Sequence, residues 1–166
     1  SAVAAAGLGA GGAGRAMCSC LAYNGAKKIY IASRTFASSE ALAADLNANF
    51  APIAEAVPME EYTKVLGNCE VVMNSSGVGM GSSIGKNPMN KEDIVPGALY
   101  YDACYNPAKT QFLLDAEEKG CKILNGLGMS LYQGAEQIKL WTGVEPPIDV
   151  MRQTLFDILE GKAEQE

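Results

Sequence analysis

Short apolar runs alternate with longer amphipathic segments along the whole chain, and this alternation predicts a parallel α/β fold. The strands are expected at 2–8, 28–32, 50–53, 70–74, 97–105 (with its exit) and 121–124. The helices are expected at 13–24, 38–46, 59–66, 110–119, 129–141 and 148–160. Since strands and helices alternate at βαβ spacing, the fold class is α/β, a doubly wound (Rossmann-type), mostly parallel six-stranded sheet with helices on both faces.

The last two predicted helices are amphipathic, and we expect their apolar sides to pack inward. On the first of them the inward positions are Leu131, Ala135, Ile138 and Trp141. The apolar positions of the second are Val150, Met151, Leu155, Ile158 and Leu159. We therefore expect a single domain over residues 1–160 and a frayed tail over 161–166.

Composition favours one globular domain with a real core, because 48% of the 166 residues are hydrophobic and 19% are charged. The net charge of −6 argues against nucleic acid or an anionic membrane surface as a partner. No apolar run approaches the roughly 20 residues that span a bilayer, and residues 1–8 lack the basic segment of a signal peptide. These features predict a cytoplasmic protein.

Cysteine and histidine usage limits the available chemistry. The five cysteines are odd in number and lack metal spacing, so we expect them to be reduced and mostly buried, without a metal site. Cys18 and Cys20 are two positions apart on a predicted helix and should point in different directions. Because the chain contains no histidine, catalysis by an imidazole base is excluded within it.

The start of the chain is unusual, because position 1 is Ser1 and a predicted strand follows at once. We interpret the chain as processed, or as a piece of something longer.

A glycine-rich segment follows the first predicted strand and reads Gly-Ala-Gly-Gly-Ala-Gly over 9–14. Gly9 would allow a sharp turn, Gly11 would let backbone N–H groups approach a phosphate, and Gly14 would let the helix lie close to the strand. The start of a helix also attracts anions. The segment predicts a pyrophosphate site, with a flexible chain-end loop as the alternative.

Ser33, Arg34 and Thr35 follow the second strand, where a dinucleotide fold contacts the adenosine ribose. NAD enzymes place Asp or Glu here, whereas this chain offers a cation between two hydroxyl groups. Arg34 could stack on adenine or pair with a 2′-phosphate, and the two hydroxyls add donors. The alternative is an ordinary turn with a solvated arginine.

Two further Gly-rich segments follow strands. The segment 74–80 should lie at the mouth of the cleft beside the first strand, and 125–129 forms a second strand-to-helix turn. Residues 81–97 are expected to form a loop.

Five separate segments occur in the order typical of one family. They are 9–16, 33–35, 74–80, Asp102 with 105–107 and Thr110, and 125–129 with Gln133 and 141–143. Together they resemble the C-terminal NADP-binding domain of shikimate dehydrogenases, including the quinate/shikimate dehydrogenases. The resemblance covers nearly the whole chain.

The resemblance implies an oxidoreductase that reduces 3-dehydroshikimate to shikimate with NADPH, in the pathway to aromatic amino acids. It implies cofactor contacts by Gly9, Ala10, Gly11, Gly12, Ala13, Ser33, Arg34, Thr35, Asn74, Ser75, Ser76, Ala103, Gly126 and Met129. Tyr105 and Gln133 match positions that reach the substrate, a cyclohexene carboxylate. No metal is implied, and Asp102 receives no catalytic role.

The chain also departs from the family pattern. Ser33 replaces the usual Asn, and Ser38 stands where a second basic residue is common, so NAD use stays open beside NADP. The family's catalytic Lys and Asp belong to an N-terminal substrate domain whose motifs are absent from this chain. We therefore expect little or no turnover by this chain alone, and self-association through apolar surface that the other domain would cover.

Two other function classes stay open on sequence grounds. The chain could be a non-catalytic nucleotide-binding or partner-docking module. It could also belong to another NADP enzyme of similar layout, such as the methylene-tetrahydrofolate dehydrogenases or glutamyl-tRNA reductases, although segments 105–107 and 125–133 fit those less well.

Overall fold

A six-stranded parallel sheet organises the first part of the chain, up to Asn125, in the computed structural model, which describes residues 2–161. The strands are β1 (Ala4–Leu8), β2 (Lys28–Ala32), β3 (Ala54–Ala56), β4 (Val71–Asn74), β5 (Leu99–Asp102) and β6 (Lys122–Leu124). Their order is β3-β2-β1-β4-β5-β6, so the direction of winding reverses between β1 and β4. The predicted doubly wound fold is confirmed.

Strand β1 lies between β2 and β4 and consists largely of alanine. It pairs Ala5 with Ile29 on one side and with Val71 on the other. Alanine is a poor strand former in isolation, but Ala5 and Ala6 have no exposed surface here. Because neighbours cover both edges and both faces, tertiary packing determines the conformation of this strand.

Four α-helices belong to the first unit, and short 3₁₀ turns occupy parts of its loops. The helices are α1 (Gly12–Tyr23), α2 (Phe36–Asn49), α3 (Thr63–Leu66) and α4 (Gln111–Glu118). The 3₁₀ turns are Met59–Glu61, Gly81–Ser83 and Lys91–Asp93. Since crossovers between parallel strands are right-handed, the helices that precede and follow the reversal are expected on opposite faces of the sheet.

The core on the β4–β6 side of the sheet is built around two aromatic rings. Tyr100 and Phe112 are fully buried, with their ring centroids 5.4 Å apart. Tyr62 and Leu66 pack in the same buried cluster. This cluster fixes α4 and the segment before β4 against the strands.

Residues 126–161 form a second compact unit. It contains α5 (Leu127–Thr142) and α6 (Ile148–Leu159). Gly143 ends α5 in the left-handed conformation with φ 71°, and its amide donates to the carbonyl of Lys139 at 2.8 Å. Gly134 on α5 faces Met151 on α6, so the two helices pack at a position without a side chain.

The predicted strand over 50–53 is wrong. Phe50 caps the C-terminus of α2, and the third strand is Ala54–Ala56. The strand was predicted there because residues 50–53 are all apolar. The observed strand is defined instead by the pairing of Ala54 and Ala56 with β2. The helix predicted over 59–66 is also divided, into a 3₁₀ turn and the four-residue α3.

Helix α2 begins at Phe36 rather than at 38, with Thr35 as its N-cap residue. The expected inward position of Trp141 is wrong as well, since 79% of this residue is exposed, whereas Leu131 and Ala135 are buried as predicted. In the second helix of this unit, Val150 and Ile158 are exposed and contradict the expected packing.

Four cysteines are buried as expected, and Cys20 is exposed. Cys18 and Cys20 therefore do point in different directions. The predicted tail lies outside the described residues from 162 onward, and the prediction of a single domain over 1–160 stays a prediction. Within residues 2–161, no helix combines the length and apolar character that a membrane span requires.

Candidate nucleotide-binding cleft

A cleft of about 470 Å³ opens at the carboxyl ends of β1, β2 and β4. In doubly wound sheets, ligands bind at this edge, where the strand order reverses. Three segments form its walls: the glycine turn after β1, the turn after β2 and the exit of β4. Their lining residues are Leu8–Gly11, Ala32–Thr35 with Ser38, and Ser75, Ser76 and Val78, with Met59 and Pro88 completing the lining.

The glycine turn is closely packed at two of its glycines. Gly9 has φ +107°, and a Cβ there would lie 2.7 Å from the Ser75 hydroxyl oxygen. A Cβ on Gly14 would lie 2.3 Å from the carbonyl oxygen of Gly9. Both distances are below any real contact, so the turn and the first turn of α1 require glycine at these positions, as predicted.

Gly11 and Gly12 differ from these two, because a Cβ at either position would meet no atom within 4 Å. The fold therefore does not need glycine there. The first backbone hydrogen bond entering α1 runs from the Arg15 amide to the Gly11 carbonyl at 2.8 Å. In the described part of the chain the amides of Gly12 and Ala13 have no acceptor, so they are free to bind an anion.

The turn after β2 presents a cation to the cleft. Arg34 is exposed, and among residues 2–161 no carboxylate pairs with its guanidinium. Arg15, by contrast, is paired with Asp45 at 2.7 Å. Thr35 and Ser38 are exposed beside Arg34 and line the same wall. A guanidinium with two hydroxyl groups is suited to a phosphate.

Asn74 does not line the cleft, although it was predicted as a cofactor contact. Its side chain is 1% exposed. Its amide donates to Asp102 Oδ2 at 3.0 Å and to the Val78 carbonyl at 3.1 Å. Its Oδ1 accepts from the amide and hydroxyl of Ser76, at 3.1 and 2.6 Å. Asn74 therefore holds Ser76 in the cleft wall instead of facing the cleft itself.

Asp102 is a buried carboxylate whose hydrogen bonds are all internal. It accepts from the Thr110 hydroxyl at 2.6 Å and from the Cys104 amide at 2.9 Å, in addition to Asn74. Burial, with a smaller contribution from the Asp102 charge, raises the pKa of the Cys104 thiol. This network joins the ends of β4 and β5 to the start of α4, which agrees with a structural role.

The structure brings together most of the residues predicted to contact the cofactor. Those lining the cleft are Gly9, Ala10, Gly11, Ser33, Arg34, Thr35, Ser75 and Ser76. Gly12 and Ala13 stand in the first turn of α1. Ala103 lies outside the lining, and its amide donates to the Asn74 carbonyl at 2.9 Å.

The remaining predicted residues lie elsewhere. Tyr105 is half-buried beyond the end of β5. Gly126, Met129 and Gln133 belong to the second unit, where Gly126 is the N-cap residue of α5. Their contacts with cofactor or substrate stay predictions.

Sequence reasoning did not assign Met59 and Pro88 to the cleft. They are apolar residues without a motif, in loops far apart along the chain. Val78 lies within the polar segment 74–80, which was expected at the mouth of the cleft. For Met59 and Pro88 no sequence signal was available.

The class of this molecule follows from the reversed strand order, the glycine turn at the start of α1 and Arg34 after β2, which pairs with no carboxylate of residues 2–161. It is a dinucleotide-binding domain of the Rossmann type.

Comparison with known proteins gives the family. Residues 3–90 match the family described as Shikimate / quinate 5-dehydrogenase, and residues 126–156 match the Shikimate 5'-dehydrogenase C-terminal domain. The chain belongs to the shikimate/quinate 5-dehydrogenase family. It is 38% identical over 153 residues to the shikimate dehydrogenase (NADP(+)) of Methanococcus aeolicus, covering 92% of this chain and 54% of that protein.

Solved structures agree with this assignment. The shikimate 5-dehydrogenase of Listeria monocytogenes, in complex with shikimate and NAD, has a TM-score of 0.84 and 34% identity, covering 93% of this chain and 56% of that one. The quinate dehydrogenase of Corynebacterium glutamicum, in complex with NAD, has a TM-score of 0.84 and 27% identity, covering 93% and 55%. The chain thus spans about half the length of the relatives it matches.

Proposed function

We propose that the cleft binds NADP, and that this chain is the cofactor-binding part of a shikimate dehydrogenase. The pyrophosphate would lie against the free amides at the start of α1. The adenosine ribose and its 2′-phosphate would lie at Arg34, Thr35 and Ser38. The observation that carries the proposal is the single cleft that joins these two anion-binding segments.

The fit of a dinucleotide rests on the glycines that the fold does not need. Gly11 and Gly12 border open space, and the amides of Gly12 and Ala13 have no acceptor within the described residues. A phosphate placed there would accept hydrogen bonds from these amides and benefit from the helix dipole. The close approach of a ligand would then explain why position 11 carries no side chain.

When bound, NADPH supplies the hydride that reduces a ketone. We propose that Tyr105 and Gln133 contact the substrate carboxylate or hydroxyl groups, and that Ala103, Gly126 and Met129 contact the nicotinamide. Asp102 is fully engaged, and the chain has no histidine. We therefore assign proton transfer to a domain beyond this chain and expect little turnover by the chain alone.

A second candidate is a quinate dehydrogenase that uses NAD. Its use of NAD is favoured by Ser38, which provides no second cation beside Arg34. The Listeria and Corynebacterium relatives are both described in complex with NAD. Both candidates use the same cleft, and they differ in the contacts made to the 2′ position of the adenosine ribose of the cofactor.

Calorimetric titration with NADP⁺ and NAD⁺ tests the proposed site through Gly11→Ala. A methyl group at Gly11 meets no protein atom, so the fold should be unaffected. The same methyl should hold the pyrophosphate away from the amides and weaken NADP⁺ binding by at least about tenfold. Thermal unfolding of the variant should match that of the wild type.

Gly67→Ala is the matched control. Gly67 has a helical φ of −62° and open space around a Cβ, and it lies outside the cleft lining. This variant should bind both nucleotides like the wild type. Wild-type protein that binds neither nucleotide at millimolar concentration, or Gly11→Ala protein that binds both unchanged, would refute the proposed site.

The identity of the substrate is tested by mixing this chain with the part of a relative that the chain does not cover. We expect NADP⁺ reduction with shikimate when the remainder of the Methanococcus aeolicus enzyme is mixed with this chain. Reduction of NAD⁺ with quinate would favour the second candidate. Nucleotide binding without any turnover would favour a non-catalytic binding module.

A further inference from the structure

Two serine hydroxyls and one backbone carbonyl form a chain of hydrogen bonds at the turn that carries Arg34. The Ser39 and Ser33 hydroxyl oxygens are 2.8 Å apart. The Ser33 hydroxyl donates to the carbonyl of Thr35 at 2.8 Å. Ser39 is fully buried in α2, whereas Ser33 is half-buried in the cleft wall.

The direction of the protons in this chain is fixed by counting donors. A serine hydroxyl has one hydrogen, and Ser33 uses it on the Thr35 carbonyl. Ser39 must therefore donate to Ser33. It follows that Ser33 has no hydrogen left for a phosphate, and the expectation that it adds a donor to the cleft does not hold in this arrangement.

The Thr35 carbonyl is held from two sides. It also accepts from the Ser38 amide at 2.9 Å. The hydroxyl of Thr35 itself makes no capping bond to α2. Among residues 2–161, the groups on this wall that have no partner are thus the Arg34 guanidinium and the hydroxyls of Thr35 and Ser38.

We propose that Ser39 is a positioning residue for recognition of the ribose 2′-phosphate, acting through Ser33. This inference rests on the proposed NADP site. The two serines hold the Thr35 carbonyl, and with it the backbone that presents Arg34 to the cleft. Ser33 stabilises the turn, and Arg34, Thr35 and Ser38 contact the phosphate.

A double-mutant cycle with Ser33→Ala and Ser39→Ala tests this role. Each single variant should weaken NADP⁺ binding about fivefold, the equivalent of one hydrogen bond, and NAD⁺ binding by less than about twofold. The double variant should be no weaker than either single variant, because the two serines act as one unit. The NADP⁺-selective effect is a readout that a general loss of stability would not produce.

Ser19→Ala on α1 is the control, since Ser19 is half-buried on a helix and lies outside the cleft lining. Circular dichroism and thermal unfolding establish that each variant is folded. Should Ser39→Ala be unfolded, Ser33→Ala alone must still lower NADP⁺ affinity selectively.

Two results would overturn the inference while leaving the proposed function intact. One is an unchanged NADP⁺ affinity in Ser39→Ala. The other is additive losses in the double variant, which would make Ser33 an independent phosphate donor. Wild-type protein that binds neither nucleotide would instead overturn both the proposed site and this inference.

Discussion

Tyr62 is the clearest local defect among the described residues. Its hydroxyl is buried, and no hydrogen-bond partner for it exists in the part of the chain that the structure describes. The residue is 1% exposed, and burial raises its pKa well above the ordinary value. Tyr100, in the same cluster, differs because its hydroxyl accepts from the Val95 amide at 3.0 Å.

Tyr62→Phe should therefore stabilise the protein. Removing an unsatisfied buried hydroxyl returns part of its desolvation cost, and we expect a gain of about 1 kcal/mol in the free energy of unfolding. Urea unfolding at pH 7 measures this difference.

Tyr100→Phe is the matched comparison. It leaves the Val95 amide without its acceptor, so we expect a loss of about 1–2 kcal/mol. A loss of stability in Tyr62→Phe as large as that in Tyr100→Phe would show that the Tyr62 hydroxyl has a partner.

At the scale of elements, one carboxylate ties β4 to the start of β1. Glu70 precedes β4, accepts from the Ala4 amide at 2.7 Å and pairs with Lys27 at 2.8 Å. The bond from Lys27, followed by that from the Ala4 amide, lowers the pKa of Glu70 from 4.5 to about 2. The charged form is thus favoured in the folded state.

This shift predicts a stability change in acid. Because the folded pKa lies below the unfolded value, the contribution of Glu70 is complete above about pH 4.5 and is lost as pH falls toward 2. Denaturant unfolding of wild type and Glu70→Gln should differ by a constant amount at neutral pH. The difference should shrink below about pH 4.5.

Glu55→Gln is the control for this prediction, since Glu55 pairs with Lys28 at 2.6 Å on the surface. Its removal should change the free energy of unfolding by less than about 1 kcal/mol. A Glu70→Gln difference that persists unchanged at pH 2.5 would contradict the proposed tie.

The elements that sequence predicted well have strong local boundaries. The strand Lys28–Ala32 follows the helix stop at Gly25, and its limits are confirmed. The third strand was misplaced because its residues, Ala54–Ala56, have no apolar pattern of their own and are defined by pairing with β2. Because the pairing residues of β2 lie far away in sequence, the pattern of a short segment does not reveal the pairing.

The angular position of residues around α5 explains the error at Trp141. Positions four and seven residues after Leu131 lie on the same face of the helix. The first of them, Ala135, is buried. Ten residues of α-helix rotate Trp141 about 80° away from that face. The glycine turn, in contrast, was predictable because its backbone conformation and close contacts admit only glycine at Gly9 and Gly14.

For the molecule as a whole, the second unit carries much exposed apolar surface. Leu140 and Trp141 are 80% and 79% exposed, and Val144 is 62% exposed. Apolar groups grouped in this way favour association. The surface would be available to a further domain or to another copy of the chain.

We therefore predict concentration-dependent self-association of the chain. Sedimentation velocity should show larger species as the protein concentration rises, and Leu140→Gln with Trp141→Gln should reduce them. The matched change Tyr23→Gln on α1, at an 80% exposed residue, should have a smaller effect. A strictly monomeric profile at high concentration would contradict this prediction.

The central place of β1 has a consequence for synthesis on the ribosome. Strands β1 and β2 are synthesised before β4, and the second edge of β1 stays open until β4 emerges, since Leu8 pairs with Asn74. An open edge is a site where nascent chains aggregate. Because the alanines of β1 offer little apolar area to a foreign strand, we expect the residues that pack tightly in the finished sheet to limit such pairing in the growing chain as well.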